Sequence, residues 1–255
     1  MKAHIKQIIS HHAMLKNGPS KYKRLDNECL FGESFEILKK KNDWFYGKLL
    51  TDGYLGWVHK TNLDKLPKPN YRVFNKYTVC YSEPSVKSNF LCFLSFGSLI
   101  KKISNVNKWT EFKIKNNKKA YIYSEHIVPI NSTTKDWVSI SEKFIGIPYK
   151  FGGRTTFGLD CSALVQLCSQ AGGHIISRDT KFQVNEKNLI QKNISEIKRG
   201  DLIFWKDHVA IAINNKQILH ANAFTMTVEI EYLNTVMNRI SKDQIPIIKC
   251  FPSYP

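Results

Sequence analysis

One cysteine and two histidines stand where they could do nucleophilic chemistry. Cys161 lies where a turn-rich segment, marked by Gly152, Gly153 and Gly158, gives way to a helical pattern. Leu164, Val165, Leu167, Cys168 and Ala171 recur at helix spacing, and Gly172-Gly173 supplies a stop. At a helix start, unpaired N–H groups and the positive end of the dipole favour a thiolate. The same N–H groups can hold the oxyanion that forms when sulfur attacks an acyl carbon. Cysteine also serves as a small buried apolar residue, and Cys161 alone does not decide between the two roles.

A thiol nucleophile needs a base, and the base needs an orienting partner. His208 opens the strand-like run HVAIAI and His220 lies in ILHA, with Asn214-Asn215 between the runs. A hairpin loop of residues 214–216 sets Ala210 opposite His220 and His208 opposite Asn222. The two imidazoles then share a face as diagonal neighbours, about 7–8 Å apart at the backbone. An even loop without a bulge would separate them. Ala210 and Ala212 leave room on that face for a helix end. A lone strand histidine is ordinarily structural; the conjunction with Cys161 is what points to catalysis. His59, His126 and His174 read as structural, and His4, His11 and His12 as an extended lead-in rather than a metal site.

The rest of the chain must position this set. Residues 1–66 read as short strands with turn signals, including the Asp52-Gly53 hairpin signal between DWFYGKL and YLGWV. Residues 66–70 (LPKPN) read as a linker. Residues 70–130 then echo the first segment: FLSFGSLIKKI follows FGESFEI, and Trp109–Ile114 follows Trp44–Leu49, an internal repeat of about 65–70 residues. Ser132-Thr133-Thr134 reads as the cap of a helix from about Lys135 to Ile145, ended by Gly146 and Pro148. Helices precede strands in residues 131–255, which implies a segregated α+β domain. The expected architecture is multidomain: two small all-β barrels (1–66 and 70–130) followed by an α+β domain (131–255).

Composition narrows the partners. The chain has 255 residues, 42% of them hydrophobic, enough for real cores. No apolar run approaches the roughly 18–20 residues of a membrane span, and no membrane partner is expected. The start, MKAHIKQIISHH, has neither a sustained apolar region nor a small-residue cleavage site, so the reading is cytoplasmic. Cys29, Cys80, Cys92, Cys161, Cys168 and Cys250 follow no metal-like or disulfide-framework spacing, which fits a reducing compartment. The net charge of +17 is carried overwhelmingly by lysine. It reads as solvated faces rather than a nucleic-acid stripe.

Residues 135–255 resemble the NlpC/p60 family of papain-like cysteine peptidases that cut cell-wall peptides. The matching elements are PYKFGGRTTFGLDCSALVQ, SRDT with Gln183, RGDLIFW, HVAIAI and ILHAN. Ala163 stands where the family usually has Gly, and Phe151 where Trp is commoner. The resemblance implies Cys161 as nucleophile, His208 as base and His220 as its orienting residue. The two N-terminal segments resemble bacterial SH3-like domains, the second without the Gly-Trp pair of DGYLGWV. Such tandem barrels resemble the branch that recycles wall peptides, cleaving after γ-D-glutamate when the N-terminal L-alanine is free. That resemblance implies amine-binding roles for Asp160, Tyr54 and Glu33, and substrate contacts for Ser162 and Thr180. It implies a peptidoglycan-derived peptide substrate, no cofactor, no metal and a monomer. The alternatives are an amidase or acyl transferase, a general endopeptidase on intact wall, and a non-catalytic wall-binding module.

Overall fold

The Asp52-Gly53 turn behaves as its residues dictate. Asp52 Oδ1 accepts from the Tyr54 N–H at 3.0 Å, and Gly53 takes φ +79°. The turn joins strands Trp44–Leu49 and Leu55–His59, which pair from Trp44↔His59 to Lys48↔Leu55. In this computed structural model, residues 4–240 and 244–252 are described; positions 1–3 of the expected first barrel, and 241–243 and 253–255 of the expected third domain, lie outside the described residues. The chain forms two compact units: residues 1–132 with Arg154–Thr156, and Thr133–Gly153 with residues 157–255.

In the first unit the hairpin belongs to a seven-stranded sheet. Its order is Leu25–Leu30, His12–Lys16, Leu55–His59, Trp44–Leu49, Ser34–Lys41, His4–Ile8 and Leu63–Asp64. The expected lead-in is therefore part of the sheet, because His4–Ile8 pairs with both Ser34–Lys41 and Leu63–Asp64. Its core holds Ile8, Leu15, Phe35, Leu49 and Val58, all fully buried. Gly32 has φ +80°, and a Cβ there would sit 1.9 Å from the Leu99 carbonyl oxygen, so only glycine fits this turn. Residues 71–129 make a five-stranded and a three-stranded sheet around Val73, Cys80, Leu94, Ile100, Phe112 and Ile122.

The second unit places helices before strands. Helix α1 is Trp137–Glu142, shorter than expected, and its cap is Asp136, whose carboxylate accepts from Ser139 N. Ser132–Thr134 do not cap it; Thr134 N instead donates to Ala171 O at 2.9 Å. Helix α2 is Cys161–Ala171, buried along almost its whole circumference, with Gly172 at its C-cap and Gly173 at φ +84°. Helix α3 is Thr180–Gln183. A six-stranded antiparallel sheet follows in the order Ile190–Lys192, Ile247–Cys250, Leu202–Trp205, His208–Ala212, Gln217–Asn222, Thr227–Tyr232. Helix α4, Leu233–Ile240, continues from the last of these in chain order and buries Leu233 and Val236. The sequence reading missed it although Leu233, Val236, Met237 and Ile240 recur at helix spacing. No helix among the described residues is long and apolar enough to cross a membrane.

Candidate active site

Cys161 is the first residue of α2, and Asp160 is its N-cap, with φ −99° and ψ 176°. The Asp160 carboxylate does more than cap. Oδ1 accepts from Ala163 N at 2.9 Å and from the Ser162 hydroxyl at 3.2 Å; Oδ2 accepts from Gly152 N at 2.9 Å. Arg178 forks onto both oxygens at 2.8 Å. It also donates to Ser162 Oγ at 2.8 Å and to Gly153 O at 3.1 Å. Gln183 donates to Ser162 O at 3.0 Å and Ser177 O at 2.8 Å, tying α3 to the first turn of α2. The start of the helix is thus held by a buried, bidentate ion pair.

The cysteine sulfur is buried. Thr180 Oγ1 lies 3.8 Å from it, and the Val209 backbone N–H also bonds to it. Burial pushes the thiol up to about 11, and the Asp160 charge adds to that; the bonds from Val209 and Thr180 and the Arg178 charge pull the other way without prevailing. The thiol is therefore raised, not lowered as its place at the helix start led one to expect. Helix N–H groups do favour the anion, but desolvation and a carboxylate at the cap outweigh them.

The strand pair has the expected register. Ile211 opposes Leu219 and Ala212 opposes Ile218, which carries Ala210 to His220. His208 Nε2 lies 2.8 Å from His220 Nδ1. His220 Nε2 lies 2.9 Å from Glu231 Oε2, and Arg239 of α4 clamps Glu231 at 2.8 and 2.6 Å. Glu231 reaches His220 because Glu229 opposes His220 in the next strand pair, and Glu231 is two residues along on the same face. Ala210 and Ala212 share a core cluster with Leu233 and Val236, so the small residues accommodate α4. Burial lowers His208 to about 3, helped by the charges of His220 and Arg239, and lowers His220 as well. The resting site holds a neutral thiol and neutral imidazoles.

The described residues bring Cys161, Asp160, Ser162, Thr180, His208 and His220 into one unit. Val209, whose N–H reaches the Cys161 sulfur, is the residue after His208. Tyr54 and Glu33 lie in the other unit. Tyr54 packs against the core of the seven-stranded sheet. Glu33 is 1% exposed, with both carboxylate oxygens on Arg154 at 2.8 and 2.9 Å and a further bond from Leu30 N. Sequence reasoning passed over Arg178, Glu231, Arg239 and Tyr149. Tyr149 is close enough to Cys161 and Asp160 that their charges add to burial in raising its phenol to about 12. Arg178 was legible as the one cation of the SRDT loop, but its partner depends on tertiary folding.

The NlpC/P60 family profile matches residues 146–243, the stretch that carries the Cys161, His208 and His220 arrangement. The chain carries an NlpC/P60 cysteine-peptidase domain. A second profile, the bacterial dipeptidyl-peptidase SH3 domain, matches residues 15–63. The chain is similar to Dipeptidyl-peptidase 6 of Lysinibacillus sphaericus, 23% identical over 84% of this chain and 86% of the relative. It is also similar to the gamma-D-glutamyl-L-lysine dipeptidyl-peptidase of Bacillus cereus, 26% identical over 83% and 72%. The crystal structure of an NlpC/P60 family protein from Bacillus cereus shares the fold, with a TM-score of 0.84 over 97% of this chain and 100% of that one at 20% identity.

Proposed function

We propose that this NlpC/P60 peptidase hydrolyses the γ-D-glutamyl bond to a diamino acid in peptidoglycan-derived peptides that carry a free N-terminal L-alanine. The observation that carries the chemistry is the hydrogen-bonded chain from His208 through His220 to Glu231, with the Cys161 sulfur bonded to the residue after His208. The similarity to two dipeptidyl-peptidases over most of their length supports the substrate class.

In this reading His208 takes the Cys161 proton as sulfur attacks the γ-carbonyl carbon. The thiol and imidazole start neutral, so proton transfer accompanies attack rather than preceding it. N–H groups at the start of α2 face the oxyanion, and the Tyr149 phenol is a second candidate donor. His208 then protonates the leaving amine, and water releases the acyl group by the reverse sequence. Asp160 already has a cation in Arg178, so it is not given the amine-binding role that the resemblance implied. Asp160 instead fixes the nucleophile's backbone, and Ser162 and Thr180 remain substrate-contact candidates.

Residues 70–130 form, in this proposal, a second SH3-like barrel, supported by their own buried cluster and by the sequence echo. The boundaries 1–66, 70–130 and 131–255 go with it. The free state of all six cysteines supports action in a reducing, cytoplasmic compartment on recycled peptides. The test is a panel of L-Ala-γ-D-Glu-L-Lys, its diaminopimelate counterpart, their N-acetylated forms and intact sacculi, with products read by mass spectrometry. Cleavage of the free-amine peptides alone is expected. Equal cleavage of the acetylated peptides, or efficient digestion of sacculi, would make it a general wall endopeptidase.

A further inference from the structure

We propose that Glu231 and Arg239 are positioning residues that fix which ring nitrogen of His208 is bare, and so present the base to Cys161. The consequence for turnover rests on the peptidase reading above; the proton arrangement does not.

Arg239 forks onto Glu231 at 2.8 and 2.6 Å, and this pairing holds the Glu231 carboxyl down to about 2. Glu231 is therefore ionised and can only accept hydrogen bonds. His220 Nε2, 2.9 Å from Glu231 Oε2, must bring the hydrogen. His220 is neutral, so its Nδ1 is bare. That bare nitrogen lies 2.8 Å from His208 Nε2, which must in turn carry a hydrogen. His208 is neutral as well, so its Nδ1 is left with the lone pair that accepts a proton. The opposite assignment sets a His220 lone pair against a carboxylate oxygen. One further group approaches His220: Asn222 Nδ2 lies 3.3 Å from Nε2. Its second amide hydrogen suits a bare Nε2, but the ionised Glu231 oxygen is nearer, at 2.9 Å, and the charge-assisted bond prevails. Asn222 Oδ1 is fixed by Phe224 N and Thr225 N at 2.9 and 2.8 Å, and Nδ2 donates to Glu229 Oε1 at 2.9 Å. The charged and titratable groups facing His220 are thus Glu231, Glu229, Arg239 and His208.

The informative substitution is Glu231→Met. The oxygen that meets His220 also accepts from Arg239, so a glutamine oxygen in that place keeps both bonds and the wild-type tautomers. Methionine offers His220 no acceptor and leaves a donor, Asn222 Nδ2, at Nε2. The His220 hydrogen then moves to Nδ1, and His208 is driven to carry its own on Nδ1. A purely structural role predicts instead that Glu231→Gln and Glu231→Met, which lose the same ion pair, fall together.

The experiment is long-range 15N–1H spectroscopy of the histidine rings, with kinetics on the L-Ala-γ-D-Glu-L-Lys peptide. In wild type, His208 and His220 should both show hydrogen on Nε2. In Glu231→Met both should switch to Nδ1, with kcat down about 10- to 100-fold, part of what a positioned base contributes. KM should change little. Glu231→Gln should keep the Nε2 form and most of kcat. Unchanged tautomers in Glu231→Met, or a Glu231→Gln as slow as Glu231→Met, overturns the proposal. If Glu231→Met does not fold, Arg239→Met alone decides. Without the guanidinium the carboxyl and both imidazoles protonate more readily, so the acid limb of kcat/KM must move to higher pH; an unmoved limb overturns the proposal. A wild type that shows these tautomers yet cleaves no peptide upholds the proton arrangement and sinks the peptidase reading.

Discussion

His220 Nδ1 sits 2.8 Å from His208 Nε2 because the two strands pair with Ile211 opposite Leu219. A one-residue slip would send the rings to opposite faces. The bond takes up one His208 nitrogen, and the proposed mechanism assigns the other to the thiol. Cys161→Ala should abolish turnover. His208→Ala should lower kcat about 10²- to 10⁴-fold, the contribution of a positioned base. His220→Ala should lose less, because it acts through His208. Steady-state kinetics on the free-amine tripeptide checks the order, and a Cys161→Ala protein that retains most of its activity removes the mechanism.

The thiol makes a second prediction. With Cys161 pushed up to about 11, little thiolate exists at neutral pH. Iodoacetamide should label Cys161 slowly below pH 8, and the rate should climb steadily towards pH 11. Turnover should not follow that curve, because His208 takes the proton during attack. A labelling plateau below pH 7 would show a preformed thiolate–imidazolium pair instead.

Much of this site was legible before the fold was known, and the reasons are local. A cysteine between a glycine-rich turn and a helical repeat announces its own position. Asn214-Asn215 marks the hairpin, and the three-residue loop 214–216, one of the two registers open to the sequence, is the one that brings the histidines together. What was hidden depends on groups far apart in sequence. The thiol's burial, and the meeting of Arg178 with Asp160, arise only on packing. Helix α4, which supplies Arg239, was legible in the spacing of Leu233, Val236, Met237 and Ile240 and was overlooked. The cap of α1 was misplaced because Thr134 N is engaged by the end of α2.

Acid should destabilise the protein in a defined window. His208 falls from 6.5 to about 3 on folding, so below pH 6.5 the unfolded chain binds a proton that the folded chain refuses. Stability then decreases as pH falls, with a slope approaching about 1.4 kcal/mol per pH unit. Glu231 falls from 4.5 to about 2, and its stabilisation, present above 4.5, is lost as pH drops towards 2. Both groups act in the same direction. Urea midpoints between pH 7 and 4.5 should fall for wild type and stay flatter for His208→Gln. Parallel slopes for the two proteins would show that His208 does not carry the effect.

Asp160 and Arg178 make the last prediction, in which stability and reactivity part company. Arg178→Met strands a buried carboxylate, and breaking such a pair typically loses about 3–5 kcal/mol. Asp160→Asn retains a good N-cap but takes the negative charge away from the Arg178 guanidinium. Both single variants should be less stable than wild type, and the double variant should be more stable than the sum of the two losses implies. The thiol should respond oppositely. The Asp160 charge raises Cys161 and the Arg178 charge lowers it. Asp160→Asn should therefore label faster than wild type at pH 8, and Arg178→Met more slowly. Urea titration with timed iodoacetamide labelling measures both. If the labelling rates of the two variants move together, the thiol is responding to loosening of the fold, and the electrostatic account of Cys161 is wrong.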